Sequence, residues 1–208
     1  MIQNIIFDMG NVLVTYDPKS VCKNYFNESD VKQVLKVVFQ SEQWLQLDEG
    51  TISEEAALNI MLSRLESRLH QQTIKMFNEW HYYLKPKKEM LEVVKRLASQ
   101  GYHLYLLSNA GVRFEVFYQN IEAISYMEGM VISSRVQCNK PNAKIYKILC
   151  QKYRLNPGEC FFIDDYKENI DAANKLGIRG YVFDGNVDSL LRCCLLYTSD
   201  AADDTCCV

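Results

Sequence analysis

The sequence has no surplus of basic charge: 23 lysines and arginines stand against 26 aspartates and glutamates, a formal net charge of −3. So balanced a chain carries no broad positive field for nucleic acid or for an anionic membrane surface, and a small molecule or another protein is the expected partner. It also lacks a run of the roughly 18 apolar residues that a spanning helix needs. Its opening residues, MIQN, hold no basic segment leading into an apolar stretch. These absences point to a soluble, cytoplasmic protein. Histidine is scarce, three in 208 residues, and none lies in a metal-ligand or catalytic cluster. There is no internal repeat and no low-complexity linker. At this length the chain has room for one ordinary domain with a solid core, or for such a core plus a small accessory domain.

Eight cysteines alone would suggest an oxidised, secreted scaffold, but Cys193, Cys194, Cys206 and Cys207 crowd the last 16 residues. Cys22, Cys138, Cys150 and Cys160 are dispersed without metal-ligand pairing, and are read as reduced, mostly buried thiols. Residues 194–204, CLLYTSDAADD, look like one reading frame of a sequencing-library adapter; a short acidic native tail is the alternative. Positions 193–208 are therefore set aside as a non-native or disordered tail.

What is present is alternation. Short, nearly all-apolar runs at 4–7, 104–107, 130–133, 161–163 and 181–183 suit strands buried on both faces. Helical spacing separates them at 87–100, 143–153 and 168–176, with Gly101 and Gly177 as stops. Such alternation implies right-handed crossovers and a parallel, three-layer α/β sheet. From 16 to 84 the rhythm breaks: only helical signals occur, among them 56–65, with Thr51 and Glu54 as a possible capping box. The expected organisation is a core of 1–15 and 85–192 with an all-helical domain, 16–84, inserted after the first strand.

In open parallel sheets ligands bind beyond the carboxyl ends of the strands. Four of the five candidate strands end in polar groups: Asp8, Ser108-Asn109, Asp164-Asp165, and Lys140 in the loop after the third. Each alone is ordinary turn or cap chemistry. Taken in order, FDMGNVLV, LLSNAG, CNKPNAKIY and FFIDDYKENIDAANKLGI resemble the four motifs of the haloacid dehalogenase (HAD)-like superfamily of aspartate-nucleophile hydrolases. The likeness spans residue 1 to about 191. The insertion, including WLQLDEGTISEEA, is similar to the cap of the subgroup whose insertion follows the first motif, and the Asp-x-Gly-Asn form resembles that of bacterial sugar-phosphate phosphatases.

The resemblance implies a Rossmann-like core and a Mg²⁺-dependent phosphatase acting on a small phosphorylated metabolite. Asp8 would form an aspartyl-phosphate, splitting hydrolysis into two easier steps. Asp8, the Gly10 carbonyl and Asp165 would offer hard oxygen ligands to Mg²⁺. Asp165 is favoured over Asp164 because Asn169 lies four residues on, which leaves Asp164 to support Lys140 or a metal-bound water. Ser108, the Asn109 amide and Lys140 would hold the phosphoryl oxygens.

Gly10 departs from the commonest phosphatase pattern, which has a second aspartate there to protonate the leaving oxygen. Loss of a positioned donor typically removes about 10² to 10⁴ in rate, so slow turnover with steep dependence on leaving-group acidity is expected. Asp17 is either a substitute acid swinging in from the hinge or a cap for the next helix. Trp44, Gln46, Asp48 and Glu49 either line a substrate pocket or form a staple with a solvated acidic turn. Trp80, Tyr82, Tyr83 and His81 read as packing residues. Two other functions stay open: a 2-haloacid dehalogenase, which needs neither second acid nor Mg²⁺, and a catalytically weakened module that binds a phosphorylated metabolite or a protein.

Overall fold

The computed structural model describes residues 1–196. Five parallel strands form the central sheet: β1 (Asn4–Phe7), β4 (His103–Ser108), β5 (Gly129–Ile132), β6 (Cys160–Asp164) and β7 (Arg179–Val182), in the order β5-β4-β1-β6-β7. β1 is central, with Ile5 level with Leu104 on one side and Phe161 on the other. Alternation along each strand divides the sheet's two faces. Ile5, Phe7, Leu104, Leu106, Phe161 and Ile163 enter one core, while Ile6, Tyr105, Leu107, Cys160 and Phe162 enter the other.

Helices cover both faces, as buried parallel strands require. Met90, Val93, Val94 and Leu97 of α6 (Lys88–Ser99) join the first core, together with Leu190 of α11 (Val187–Leu196). Ile145, Tyr146 and Leu149 of α9 (Ala143–Tyr153) and Ile170 and Ala173 of α10 (Lys167–Asn174) join the second. Two short helices, α7 (Phe114–Phe117) and α8 (Ser133–Val136), sit in the loops after β4 and β5. The core runs past its expected end at 192: α11 continues to Leu196, and Cys193 and Cys194 are buried in the first core, so the expected tail is corrected over 193–196. The rest of that tail, 197–208, lies outside the described residues.

The insertion leaves and returns through a two-residue antiparallel ladder that sequence patterning did not reveal, β2 (Val14–Thr15) against β3 (Lys85–Pro86). Between them run α1 (Pro18–Lys23), α2 (Glu28–Val37), α3 (Glu42–Glu49), α4 (Glu54–Ser63) and α5 (Ser67–Glu79). They bury a third core of their own, including Val34, Phe39, Trp44, Leu47, Met61, Met76 and Phe77. Trp80 bridges, packing against this core and the first. Each start has a capping side chain where the sequence supplies one: Asn27 for α2, Ser41 for α3 and Ser53 for α4. The capping box at Thr51 and Glu54 is corrected by two residues. The Thr51 hydroxyl donates back to Gln46 O, closing α3, and Ser53 accepts from the Ala56 N–H. No helix of the described residues is long and apolar enough to cross a membrane.

Candidate active site

The carboxyl ends of β1, β4 and β6 bring the charged residues together. Asp8 follows β1, its N–H held by Ile163 O at 2.9 Å. Ser108 ends β4 and Asp164 ends β6, both buried, with Asp165 next in the chain. Lys140 reaches in from the loop between α8 and α9: its Nζ donates to Asp8 Oδ1 at 2.7 Å, to Asp164 Oδ2 at 2.7 Å and to Leu107 O at 3.0 Å. Carboxylate oxygens of Asp8, Asp164 and Asp165 lie within 4.8 Å of one another. The four strand-end groups expected from the sequence therefore meet.

The supporting bonds assign different work to neighbouring residues. The Asn109 side chain clasps the Lys140 backbone: Oδ1 accepts from its N–H at 2.8 Å and Nδ2 donates to its carbonyl at 3.0 Å. Asn169 Nδ2 donates to both oxygens of Asp164, at 2.9 and 3.0 Å, and the Tyr166 N–H donates to Oδ1 at 2.8 Å. Asp164 is thus saturated by Lys140, Asn169 and a backbone amide. Asp165 accepts one bond, from Asn11 Nδ2 at 3.1 Å.

Asn11 was missed in the sequence. It holds φ +53°, its Oδ1 accepts from the Tyr16 N–H, and Lys87 Nζ donates to its carbonyl. The available signal was its type: asparagine tolerates the left-handed region that the turn after Gly10 demands. Ser133, also missed, accepts from the Ala110 N–H and donates to Asp48 O, joining the loop after β4, the start of α8 and α3 at one hydroxyl. At Gly10 an added Cβ would meet nothing nearer than Asp8 Oδ2 at 3.9 Å. Crowding does not exclude a side chain there.

Above this cluster lies a cleft of about 860 Å³, walled on the insertion side by Leu35, Phe39, Trp44 and Trp80. Trp44 and Asp48 line it; Gln46 and Glu49 do not, and all four belong to α3 rather than to a turn ahead of a helix. Asp17 is exposed and caps α1, accepting from the Ser20 N–H at 3.0 Å. Tyr82 is exposed, Tyr83 packs on the insertion's core, and His81 is buried against Phe117 with neither ring nitrogen bonded.

Burial shapes the site's acidity. It pushes the Asp8 carboxyl up to about 7 against the pull of Lys140. It raises Asp165 too, and it takes Asp48 up to about 7. Burial opposes the charge on Lys140, but the fields of Asp8 and Asp164 override it and leave the ammonium above its ordinary value.

Sesquiterpene phosphatase astK of Aspergillus oryzae is 26% identical over 192 residues, covering 90% of this chain and 91% of that protein. D-ribitol-5-phosphate phosphatase of Bacteroides thetaiotaomicron is 23% identical over 198 residues, covering 90% and 95%. The magnesium complex of HAD family enzyme bt-2542, from the same bacterium, superposes with a TM-score of 0.69 at 26% identity, covering 92% of this chain and 98% of that one. Residues 5–183 match the family described as haloacid dehalogenase-like hydrolase, and with an aspartate, a lysine and an aspartate pair gathered at its strand ends, the chain belongs to that family.

Proposed function

We propose that this protein is a Mg²⁺-dependent phosphatase of small phosphorylated metabolites, sugar phosphates being the expected class, working through an aspartyl-phosphate on Asp8. One observation carries the reading: a buried lysine bonded to Asp8 and Asp164 at 2.7 Å, with Asp165 completing three carboxylates within 4.8 Å. Three hard oxygen donors against one ammonium suit a divalent cation that prefers oxygen. Asp8, Asp165 and the Gly10 carbonyl would hold it, since the oxygens of Asp164 are already taken by Lys140, Asn169 and the Tyr166 N–H. Bound there, Mg²⁺ supplies the positive charge that keeps Asp8 ionised and offsets a phosphoryl dianion.

The chain's own residues do the rest. Asp8 attacks phosphorus in line from the floor of the cleft, and Lys140, held rigid by Asn109, steadies the charge that builds on the phosphoryl oxygens. Ser108 is the hydroxyl donor to those oxygens, and Asp164 fixes the Lys140 ammonium. The insertion, 16–84, acts as a cap whose Trp44, Trp80 and Phe39 shut water out of the cleft. Names of relatives support this reading, since one is a sesquiterpene phosphatase and another a phosphatase of ribitol 5-phosphate. Bt-2542 has been crystallised with magnesium and inorganic phosphate.

The test is phosphate release from a panel of phosphorylated metabolites, with one 2-haloacid alongside, in Mg²⁺ and in chelator. Release is expected from wild type in Mg²⁺ only, and at least about 10³-fold less from Asp8→Asn, which cannot form the intermediate. Halide release without metal would replace the phosphatase with a dehalogenase, and binding without turnover would leave a binding module.

A further inference from the structure

A phosphatase whose second aspartate is a glycine still has to protonate a leaving oxygen. Five carboxyl side chains line the cleft: Asp8, Asp17, Asp48, Asp165 and Glu168. Asp8 is the attacking group and Asp165 belongs to the ion. Asp17 and Glu168 are exposed, and Asp17 is engaged in capping α1. Asp48 remains. It comes from α3, on the insertion side, and in-line attack by Asp8 expels the leaving oxygen away from the strand ends, toward that wall.

Three contacts from the core place α3. Ser133 Oγ donates to Asp48 O, Asn139 Nδ2 donates to Leu45 O at 2.9 Å, and Gly50, in the left-handed region at φ +73°, lets the backbone close on Ser134. Asp48 lines the cleft together with Tyr16 and Gly111, and Gly111 packs so closely on this end of α3 that a Cβ there would stand 3.1 Å from Leu47 O; the groups that act on the Asp48 carboxyl are the Gly111 amide and the charge of Asp8. None of these is a cation. A carboxyl in this position is set up to carry its proton into the cleft.

We infer that Asp48 is the general acid and base of the reaction, a catalytic residue lent by the insertion in place of the side chain missing at Gly10. The assignment rests on the phosphatase reading above. In the first step the Asp8 oxygen bonds to phosphorus and the P–O ester bond breaks. Its electron pair stays on the leaving oxygen, which takes the Asp48 proton and departs as the alcohol. In the second, ionised Asp48 takes a proton from water as the water oxygen bonds to phosphorus. The Asp8–phosphorus bond breaks, returning Asp8 as carboxylate, free phosphate and protonated Asp48. Burial, the main cause of the raised acidity constant at Asp48, puts it near neutral pH, where an acid that must also serve as base works best. Asp17 is then a helix cap, and turnover of alkyl phosphates is not crippled by Gly10.

The test compares wild type and Asp48→Asn on p-nitrophenyl phosphate, whose leaving group needs no proton, and on a series of sugar and polyol phosphates, whose alkoxides do. Unfolding midpoints of both proteins confirm that each is folded. The expected result is a loss of about 10² to 10⁴ in kcat/KM on the alkyl esters, within about tenfold on the aryl ester, and a leaving-group dependence that is shallow in wild type and steep in the variant. Equal losses on aryl and alkyl esters would overturn the assignment and leave Asp48 as a residue that merely holds α3. So would a wild type already steep in leaving-group acidity. Wild type that cleaves no phosphate at all sinks the phosphatase reading, and the Asp48 assignment with it.

Discussion

Lys140 donates to Asp8 and to Asp164 at 2.7 Å with 1% of its side chain exposed. An ammonium so placed is tolerated because two carboxylates repay its lost hydration, and removing one partner leaves the others uncompensated. Asp48, half-buried at the cleft wall, has the opposite situation: desolvation with no cation to offset ionisation. Its folded value, about 7, lies above the ~3.9 of an unfolded aspartate. Between those limits the folded chain binds a proton that the unfolded chain has lost. Stability is therefore highest at the acid end, falls as pH climbs from about 4 to about 7, and levels above that. Asp48→Asn has no such ionisation. In chelator, the unfolding midpoint of wild type is expected to fall relative to that of Asp48→Asn across this window, the gap becoming constant above about pH 8. A gap of the same size at every pH would mean that Asp48 ionises as easily folded as unfolded. Carboxyls kept where folding would rather not have them mark functional sites.

The helix α3 carries Asp48 and Trp44 into the cleft, and its C-terminal glycine decides how near it comes. Gly50 holds φ +73°, and a Cβ there would stand 2.5 Å from Ser134 O. Gly101 is also left-handed, at φ +86°, but with nothing within 4 Å of the Cβ position. Alanine at Gly101 meets only the conformational cost, about 1 to 2 kcal/mol. Alanine at Gly50 adds a backbone clash that α3 relieves by moving off α8. Urea unfolding is expected to show Gly50→Ala as the more damaging by at least about 1 kcal/mol, with kcat lowered in that variant alone. Equal costs and an unchanged kcat would show that α3 does not need this approach. Much at this scale was legible in the sequence. NIIF, followed by Asp8, reads as a buried strand because Ile5, Ile6 and Phe7 are consecutive and apolar, and 143–153 is a helix as its spacing demands. The ladder of β2 and β3 was not, since two residues have no period to detect. Nor was the Ser53 cap, because Thr51 and Ser53 are both competent hydroxyls and only the fold shows Thr51 turned back to Gln46.

Across the whole molecule, three apolar cores hold the chain, two on the faces of the sheet and one inside the insertion, and Trp80 spans the seam between the first and the last at 5.3 Å from Trp44 and 6.0 Å from Phe117. Strand ends converge in any open parallel sheet, which is why Asp8, Ser108, Lys140 and the Asp164-Asp165 pair were legible as a group. The insertion's share was not: helical periodicity identifies Leu47 and Trp44 as an inward face, but not which residues look across the seam. The side-chain clasp of Asn109 on the Lys140 backbone was not legible either, because asparagine suits a ligand contact and a backbone clasp equally well. The convergence leaves three carboxylates and one ammonium in a small volume, an excess of negative charge that folding alone does not relieve. A cation that binds the folded chain and not the unfolded one stabilises by RT ln(1 + [L]/Kd), about 2.7 kcal/mol at one hundred times Kd. At roughly 2 to 4 °C per kcal/mol for a chain of this size, saturating Mg²⁺ is expected to raise the midpoint of metal-free protein by about 5 to 10 °C. Asp165→Asn removes the carboxylate proposed to hold the ion, which accepts from Asn11 Nδ2 at 3.1 Å, so it should fold, yet lose most of that rise. Asp164→Asn disturbs the bonds to Lys140, Asn169 and Tyr166 and should lower the metal-free midpoint itself. A full rise in Asp165→Asn would place the ion elsewhere, because a site built on that carboxylate cannot keep its affinity without it.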